Sequence, residues 1–320
     1  MDSSEDLVVS GNGDASSDSG SDLAADWVNL AAETLEVAGP DVSRDLELTL
    51  VDVSEHGEEA DGRDQVRCAV APDSVACAYV TSSVHLDDFA QSREVLYQVP
   101  GGSVPAQGWP TVLLYQGTGI SPEEGWSADF DAPYGLYYQA QLTAELLEAG
   151  YAVVAPAHRS ELTPYWQTNI APWNVAWSSS EDHALIEALL DVFESGTWFR
   201  ADTANLFATG LSSGGYMTSR MAVSYPTRFR ALAIGAGSYA TCSGSLCAVP
   251  SDLPPDHPPT LFVHAADDLV VPLWTATLYR DALEDADVET RMAVTESGGH
   301  GWTSDAPSEV LGWFEDYRVP

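Results

Sequence analysis

Residues 205–217, Asn-Leu-Phe-Ala-Thr-Gly-Leu-Ser-Ser-Gly-Gly-Tyr-Met, decide how the rest of the chain is read. An apolar run ends at Gly210, a Gly-x-Ser-x-Gly turn centres on Ser212, and residues with helical spacing follow until Pro226. Strand, sharp turn and helix in that order form the context in which such a serine is a nucleophile elbow. Gly210 and Gly214 suit it because a tight turn between neighbouring strands leaves no room for side chains. The turn lifts the Ser212 hydroxyl clear of the sheet. It also aims the Ser213 N–H and the helix N-terminus at the group the serine would attack. A Gly-Ser loop that only caps a helix is the competing reading, and the flanking strand and helix weigh against it.

Outward from this stretch the chain alternates. Strands are expected at 93–100, 111–117, 151–157, 205–210, 230–236, 259–264 and 289–294. Helices are expected at 136–149, after Ser180, from the elbow to Pro226, at 273–285 and at 306–317. Ser180 serves as an N-cap, with Glu181 and Asp182 in the first turn where the helix dipole favours acids. Continuous apolar strands separated by helices predict an α/β domain, a mostly parallel doubly wound sheet with helices on both faces.

A serine nucleophile needs a base, and the base needs an orienting carboxylate. Downstream, the apolar run Thr260–His264 leads into Asp267 and Asp268, where a loop acid would follow a strand end. Ser297-Gly298-Gly299-His300-Gly301-Trp302 follows the last strand, and the glycines let the backbone carry the imidazole over the serine. His300 is the candidate base. His56 and His85 precede the domain, His158 precedes Ser212, His183 falls in a helix, His257 has no such setting, and His264 ends a buried strand.

These segments resemble a known family. Residues 207–237, FATGLSSGGYMTSRMAVSYPTRFRALAIGAG, are similar to the elbow region of the α/β-hydrolase polyhydroxybutyrate depolymerase and feruloyl esterase family. HAADDLVVP (264–272) resembles that family's His-Gly-x-x-Asp-x-x-Val-Pro segment, and GGHGW (298–302) its histidine loop. The resemblance covers about residues 92–318. It implies the α/β-hydrolase fold and a secreted serine esterase with Ser212, Asp268 and His300 as the catalytic set and no metal or cofactor. Its register selects Asp268 over Asp267, which is then a solvated neighbour. It further implies that the Thr118 N–H, in Tyr115-Gln116-Gly117-Thr118-Gly119, joins that of Ser213 in an oxyanion hole, although Gln116 replaces the family's usual histidine. Tyr216 and Trp302 become pocket walls. The substrate would be a small-molecule or polymeric ester, and the protein a monomer. A serine peptidase of the prolyl-oligopeptidase type is the alternative, since it shares Gly-Gly-Tyr after the serine and Val-Pro after the acid. The chain has no room for that family's propeller. A non-catalytic binding protein on the same scaffold is disfavoured by the intact Ser, Asp and His set.

Between His158 and Ser180 lie Tyr165, Trp166, Trp173 and Trp177. Loops at the carboxyl ends of strands line the sites of open α/β sheets. Trp166, Trp173 and Trp177 therefore either contact an apolar or aromatic substrate or pin a long loop to the domain. Trp126 and Trp274 are weaker candidates. Cys68/Cys77 and Cys242/Cys247 form two close pairs. Their spacing does not fit a zinc knuckle, so disulfides are favoured over free thiols. Pro72-Asp73-Ser74 sits between strand-like runs at 65–71 and 75–84, and a Cys68–Cys77 bond would staple that hairpin.

The 320 residues carry 12 basic and 49 acidic side chains, net -37, and every basic one is arginine. That balance works against binding nucleic acid, which demands surplus Arg and Lys, and argues against docking on anionic membranes. No apolar run is long enough to span a bilayer. Residues 1–91 hold 21 acidic and 3 basic residues, net -18, nearly half the charge. The expected organisation is a Ser/Asp/Gly-rich tail at 1–22, an accessory segment at 23–91 with a helix at 22–36 and a strand at 46–53, and a catalytic domain at 92–320. Disulfides point to a secreted or periplasmic protein. A surface-tethered lipoprotein whose leader has been removed is one form of it.

Overall fold

The computed structural model describes residues 67–159 and 164–320. The expected tail at 1–22, helix at 22–36 and strand at 46–53 lie outside the described residues. The described residues belong to one compact unit, Glu58–Pro320.

The chain enters with a hairpin, β1 (Cys68–Ala71) and β2 (Ser74–Cys77). Cys68 and Cys77 face each other across it and are disulfide-bonded. The strand-like run at 75–84 divides. Its second half belongs to β3 (Val80–Leu86), which pairs antiparallel with β4 (Gln91–Gln98) in the main sheet. The accessory segment as read from sequence thus supplies an edge strand of the large sheet. The break falls at Ala78 and Tyr79, where Gln98 donates to the Ala78 carbonyl.

The remaining elements follow in order: β5 (Trp109–Tyr115), β6 (Ser127–Asp129), α1 (Leu136–Glu148), β7 (Ala152–Pro156), α2 (Glu181–Ser195), β8 (Ala201–Leu211), α3 (Ser213–Ser224), β9 (Ala231–Gly235), β10 (Thr260–Ala265), α4 (Leu273–Asp285), β11 (Thr290–Thr295) and α5 (Ala306–Tyr317). The eight-stranded sheet runs β11-β10-β9-β8-β5-β7-β4-β3, and only β4 and β3 are antiparallel to their neighbours. β6 extends the stapled hairpin into a small separate sheet. Three residues without an alternating pattern left β6 invisible in the sequence.

Strand alternation sorts the core into two faces. Val112, Leu114, Phe207, Ala233 and Leu261 pack with Leu142 and Leu146 of α1 and with Val310 and Phe314 of α5. Leu113, Tyr115, Leu206, Ala208 and Leu232 pack with Leu185 and Leu189 of α2 and with Met217 and Met221 of α3. On that second face, Ile234 and Phe262 meet Tyr216 of α3 and Ala276 and Tyr279 of α4. Each such buried aliphatic contributes about 1.5–3 kcal/mol relative to exposure. Helices cover both faces of a mostly parallel sheet, as the alternation predicts.

The Ser180 cap forms as expected, its hydroxyl accepting from the His183 N–H, and Gly196 ends α2 in the left-handed conformation. Glu181 and Asp182 have a further role beyond the dipole. Both are buried, and both pair with Arg93 of β4.

Candidate active site

All the loops in question leave the carboxyl ends of parallel strands, where open α/β sheets collect ligands. Ser212 follows the central strand β8. Its backbone sits at φ 55°, ψ -115°, a conformation that non-glycine residues adopt only when the surroundings impose it. The surroundings are tight. A Cβ on Gly210 would stand 2.6 Å from the carbonyl oxygens of Gly214 and Tyr115, and one on Gly214 would run into the Tyr115 carbonyl. The Ser212 N–H donates to the Gly235 carbonyl at the end of β9 (2.9 Å). The elbow is therefore wedged between β5 and β9, with its hydroxyl facing out.

His300 lies in the loop after the edge strand β11. Its Nε2 is 2.7 Å from Ser212 Oγ and its Nδ1 is 2.8 Å from Asp268 Oδ2. Asp268 accepts N–H bonds from Val270 (2.8 Å) and Val271 (2.9 Å) on Oδ1, and its Oδ2 lies 3.5 Å from His264 Nε2. Burial alone would raise this carboxyl. The hydrogen bonds from His264, His300 and the Val271 N–H, together with the charge His300 can carry, outweigh it and hold Asp268 well below the usual carboxylate range. An ionised Asp268 accepts from the Nδ1–H of His300, which leaves the Nε2 lone pair toward the serine. Hydroxyl, imidazole and carboxylate in line can activate the oxygen for attack on an electrophilic carbon.

Asp267 is not merely solvated. Its Oδ1 accepts the Gly299 N–H at 2.8 Å, fixing the residue before His300. His264 also differs from a simple core histidine. It is fully buried, donates from Nε2 to the Val271 carbonyl (2.8 Å), and leans on Asp268. The sequence carried no sign of either contact beyond the position of both residues in the 264–272 motif.

The loop after β5 lies against the nucleophile. A Cβ on Gly117 would be 3.7 Å from Ser212 Cβ, so Thr118 is at the serine's flank. The Gly119 N–H donates to the Pro164 carbonyl (2.7 Å), and His158 Nε2 meets the Ile120 carbonyl at 3.1 Å. Ser213 is the first residue of α3, where a backbone N–H has no intrahelical acceptor.

The aromatic candidates for substrate contact are mostly interior. Trp166, Trp177, Tyr216 and Trp302 are buried, and Trp173 is half-buried. Polar contacts explain three of them. Trp166 Nε1 donates to the Gln116 carbonyl (2.9 Å), Tyr216 Oη accepts the Gly244 N–H (3.2 Å), and Trp302 Nε1 donates to Gln139 Oε1 (2.7 Å). Trp177 lies under the Arg220 guanidinium, 5.3 Å from the ring centre. Trp126 is fully buried beside Tyr79, and Trp274 is half exposed in the first turn of α4. The exposed apolar side chains of the strand-end loops are Leu269 (90% exposed), Val175 (87%), Leu246 and Val270. Leu246 is presented by the loop that the Cys242–Cys247 disulfide closes. Among the described residues, no cluster of His, Cys, Asp and Glu could hold a metal ion. No helix among them is long and apolar enough to cross a membrane.

No protein-family model matches the chain. It is 45% identical over 252 residues to a poly(3-hydroxyoctanoate) depolymerase of Pseudomonas fluorescens, which covers 78% of this chain and 89% of the relative. A truncated carbohydrate esterase from gut microbiota superposes with a TM-score of 0.54 at 16% identity, over 80% of this chain and 99% of that one. An α/β hydrolase enzyme from a Medee basin deep-sea metagenome library does so with a TM-score of 0.53 at 15% identity, over 75% and 98%. The two structural likenesses carry the fold, and the sequence likeness carries the family. The chain belongs to the same family as the poly(3-hydroxyoctanoate) depolymerase, and is a carboxylic ester hydrolase of the α/β-hydrolase fold.

Proposed function

We propose that this chain is a serine esterase acting on polyesters of hydroxy acids with aliphatic side chains. The observation that carries the mechanism is the relay from Asp268 through His300 to a strained Ser212, at 2.8 and 2.7 Å. Ser212 Oγ attacks the ester carbonyl while His300 Nε2 takes its proton. The N–H groups of Thr118 and Ser213 hold the oxygen that becomes negative; losing one such donor typically costs about 100- to 1,000-fold in rate. The tetrahedral intermediate collapses, His300 returns the proton to the leaving alcohol, and the acyl group stays on Ser212. Water, deprotonated by His300, then releases the acid and restores the serine.

Three observations support the substrate class. The relative at 45% identity is a poly(3-hydroxyoctanoate) depolymerase, and that polymer is an aliphatic polyester. The strand-end loops expose Leu269, Val270, Leu246 and Val175. A net charge of -37 admits a neutral ester more readily than a polyanion. Two disulfides are stable in an oxidising compartment, so export from the cytosol accompanies this reading.

The test is a panel of poly(3-hydroxyoctanoate) latex, p-nitrophenyl esters of rising chain length, feruloyl esters and prolyl anilides, with fluorophosphonate labelling alongside. Clearing of the latex, preference for longer acyl chains, and labelling abolished in Ser212→Ala are expected. Anilide cleavage without ester cleavage would overturn the esterase reading. A preference for acetyl or feruloyl esters, with the latex untouched, would overturn the substrate class.

A further inference from the structure

The segment 164–169 touches the nucleophile's surroundings at several points, and one side chain sits at their centre. Pro164 accepts the Gly119 N–H (2.7 Å). The Trp166 backbone N–H donates to Ser213 Oγ (3.0 Å), and its indole N–H donates to the Gln116 carbonyl (2.9 Å). Trp166 therefore bonds both to the loop carrying Thr118 and to the residue that opens α3. Its ring is wholly buried, edge-on to Tyr115 at the end of β5 (5.2 Å) and to His158 (6.3 Å).

The next three residues are anchored in turn. The Gln167 N–H donates to Asp182 Oδ2 (2.6 Å), and Asp182 is paired with Arg93 (3.0 Å). The Thr168 hydroxyl and carbonyl accept from Arg220 (2.9 and 2.8 Å). Asn169 donates to the Cys242 carbonyl (2.9 Å). Asp182, Arg93 and Arg220 are all buried. Buried charges are costly unless satisfied: Arg93 and Asp182 are ion-paired, and Arg220 bonds to the Thr168 hydroxyl and carbonyl and lies over Trp177. The pairing fixes the segment far more tightly than a surface loop needs.

We infer that Trp166 is a positioning residue for the oxyanion hole: its indole N–H sets the 116–119 loop and its backbone N–H sets Ser213, so that the Thr118 and Ser213 N–H groups converge on one point. The inference rests on the reading of those two N–H groups as the oxyanion donors. Donors aimed at a developing charge act only when already in place, because reorienting them during the reaction forfeits their advantage. Gln116 stands where a histidine is usual, and the Trp166 bond to its carbonyl supplies a constraint on the loop that does not depend on the side chain at 116.

Two variants test this. Trp166→Phe keeps an aromatic ring and removes the N–H. Replacing Trp166 by 3-benzothienylalanine keeps the bicyclic shape and removes only the N–H, so packing survives. Active enzyme is counted by fluorophosphonate titration, and kcat and KM are measured on a soluble p-nitrophenyl ester. Ki is measured for a trifluoromethyl ketone, whose carbonyl adds to serine and leaves an oxyanion. The expected result is a fall in kcat per titrated site of about 10- to 100-fold with KM within about 3-fold. The Ki should weaken by the same factor as kcat. If kcat and Ki stay within about 2-fold of the parent in the benzothienylalanine protein, the inference is overturned. A lower melting temperature with unchanged kcat per site also overturns it, since that is what mere packing would produce. Failure of the oxyanion reading itself looks different: the parent protein would then show no tightening toward the ketone over a substrate-like ketone without fluorine.

Discussion

The nucleophile and its base are held in opposite ways. Ser212 follows a central strand, flanked by β5 and β9, and is set by backbone packing so close that a methyl group on Gly214 would strike a carbonyl. His300 follows an edge strand that is half exposed; Gly301 beside it packs on the Tyr134 backbone, but its ring and loop are oriented by polar contacts: Asp268 on its ring, Asp267 on the Gly299 N–H, and Tyr134 on the Trp302 N–H (2.8 Å). The serine must not move, because its attack angle is fixed by the strained turn. The histidine passes a proton between the serine and the leaving alcohol, so its ring must keep the orientation that the carboxylate gives it. Steric edits should therefore break one side and carboxylate edits the other.

The largest effect is expected from Asp268→Asn. It removes the charge that orients His300 and stabilises its protonated form, and kcat should fall by about 10⁴-fold, with a lower melting temperature at neutral pH because the fold favours the ionised carboxyl. A crippling Asp267→Asn beside a mild Asp268→Asn would instead move the orienting acid. Gly214→Ala attacks the other side. Overpacking against the Tyr115 carbonyl should cost about 3 kcal/mol or more, a drop of roughly 6–12 °C in thermal melting, together with lost activity. Should Gly214→Ala melt like the parent, the elbow is looser than this comparison requires.

Asp267→Ala removes the clamp on Gly299 but leaves the relay, and about a 10-fold loss in kcat is expected. Asp267→Asn keeps an acceptor oxygen and should cost under about 3-fold. A further effect concerns stability alone, leaves activity untouched, and lies away from both sides. His257 is buried, hydrogen-bonded to Tyr279 and to the Pro258 carbonyl. Burial lowers it to about 4, against the pull of the Pro258 carbonyl. The unfolded chain takes up that proton near pH 6.5 and the folded chain does not, so stability falls as pH drops from about 6.5 to 4, by up to about 3 kcal/mol. Melting of His257→Gln should be flatter across that window. Asp268, depressed in the fold, contributes stability that is present above its unfolded value near 3.9 and lost only below it. Asp268→Asn should therefore leave the slope between pH 6.5 and 4 intact, lower melting throughout that window, and remove the further loss of stability in stronger acid.

Much of the site was readable because its residues sit in short motifs tied to strand ends. Ser212, Asp268 and His300 each follow an apolar run by a few residues, and strand alternation predicts where those runs must lie. The contacts that hold them were not readable. Arg93 and Asp182 are 89 residues apart, Trp166 and Ser213 are 47, and Asp267 and Gly299 are 32. A hint existed in Arg93, a charged residue at a buried register of β4, which had to have a partner in the interior. The run at 75–84 read as one strand because its apolar content is continuous. Only the pairing of one half with β6 and the other with β4 shows the break.

The sequence by itself determined most of the succession of strands and helices, the strand-turn-helix elbow and the two cysteine pairs, and it made Ser212 and His300 the candidates for nucleophile and base. These are local, since periodicity and glycine placement act within a dozen residues. Tertiary structure alone decided which aromatic rings are buried. Trp166 reads in sequence either as a substrate contact or as a ring pinning a loop; its indole meets Gln116 from 50 residues away and lies wholly inside. A ring's burial depends on which distant segments bring it a hydrogen-bond acceptor and a packing surface, and no local pattern encodes those.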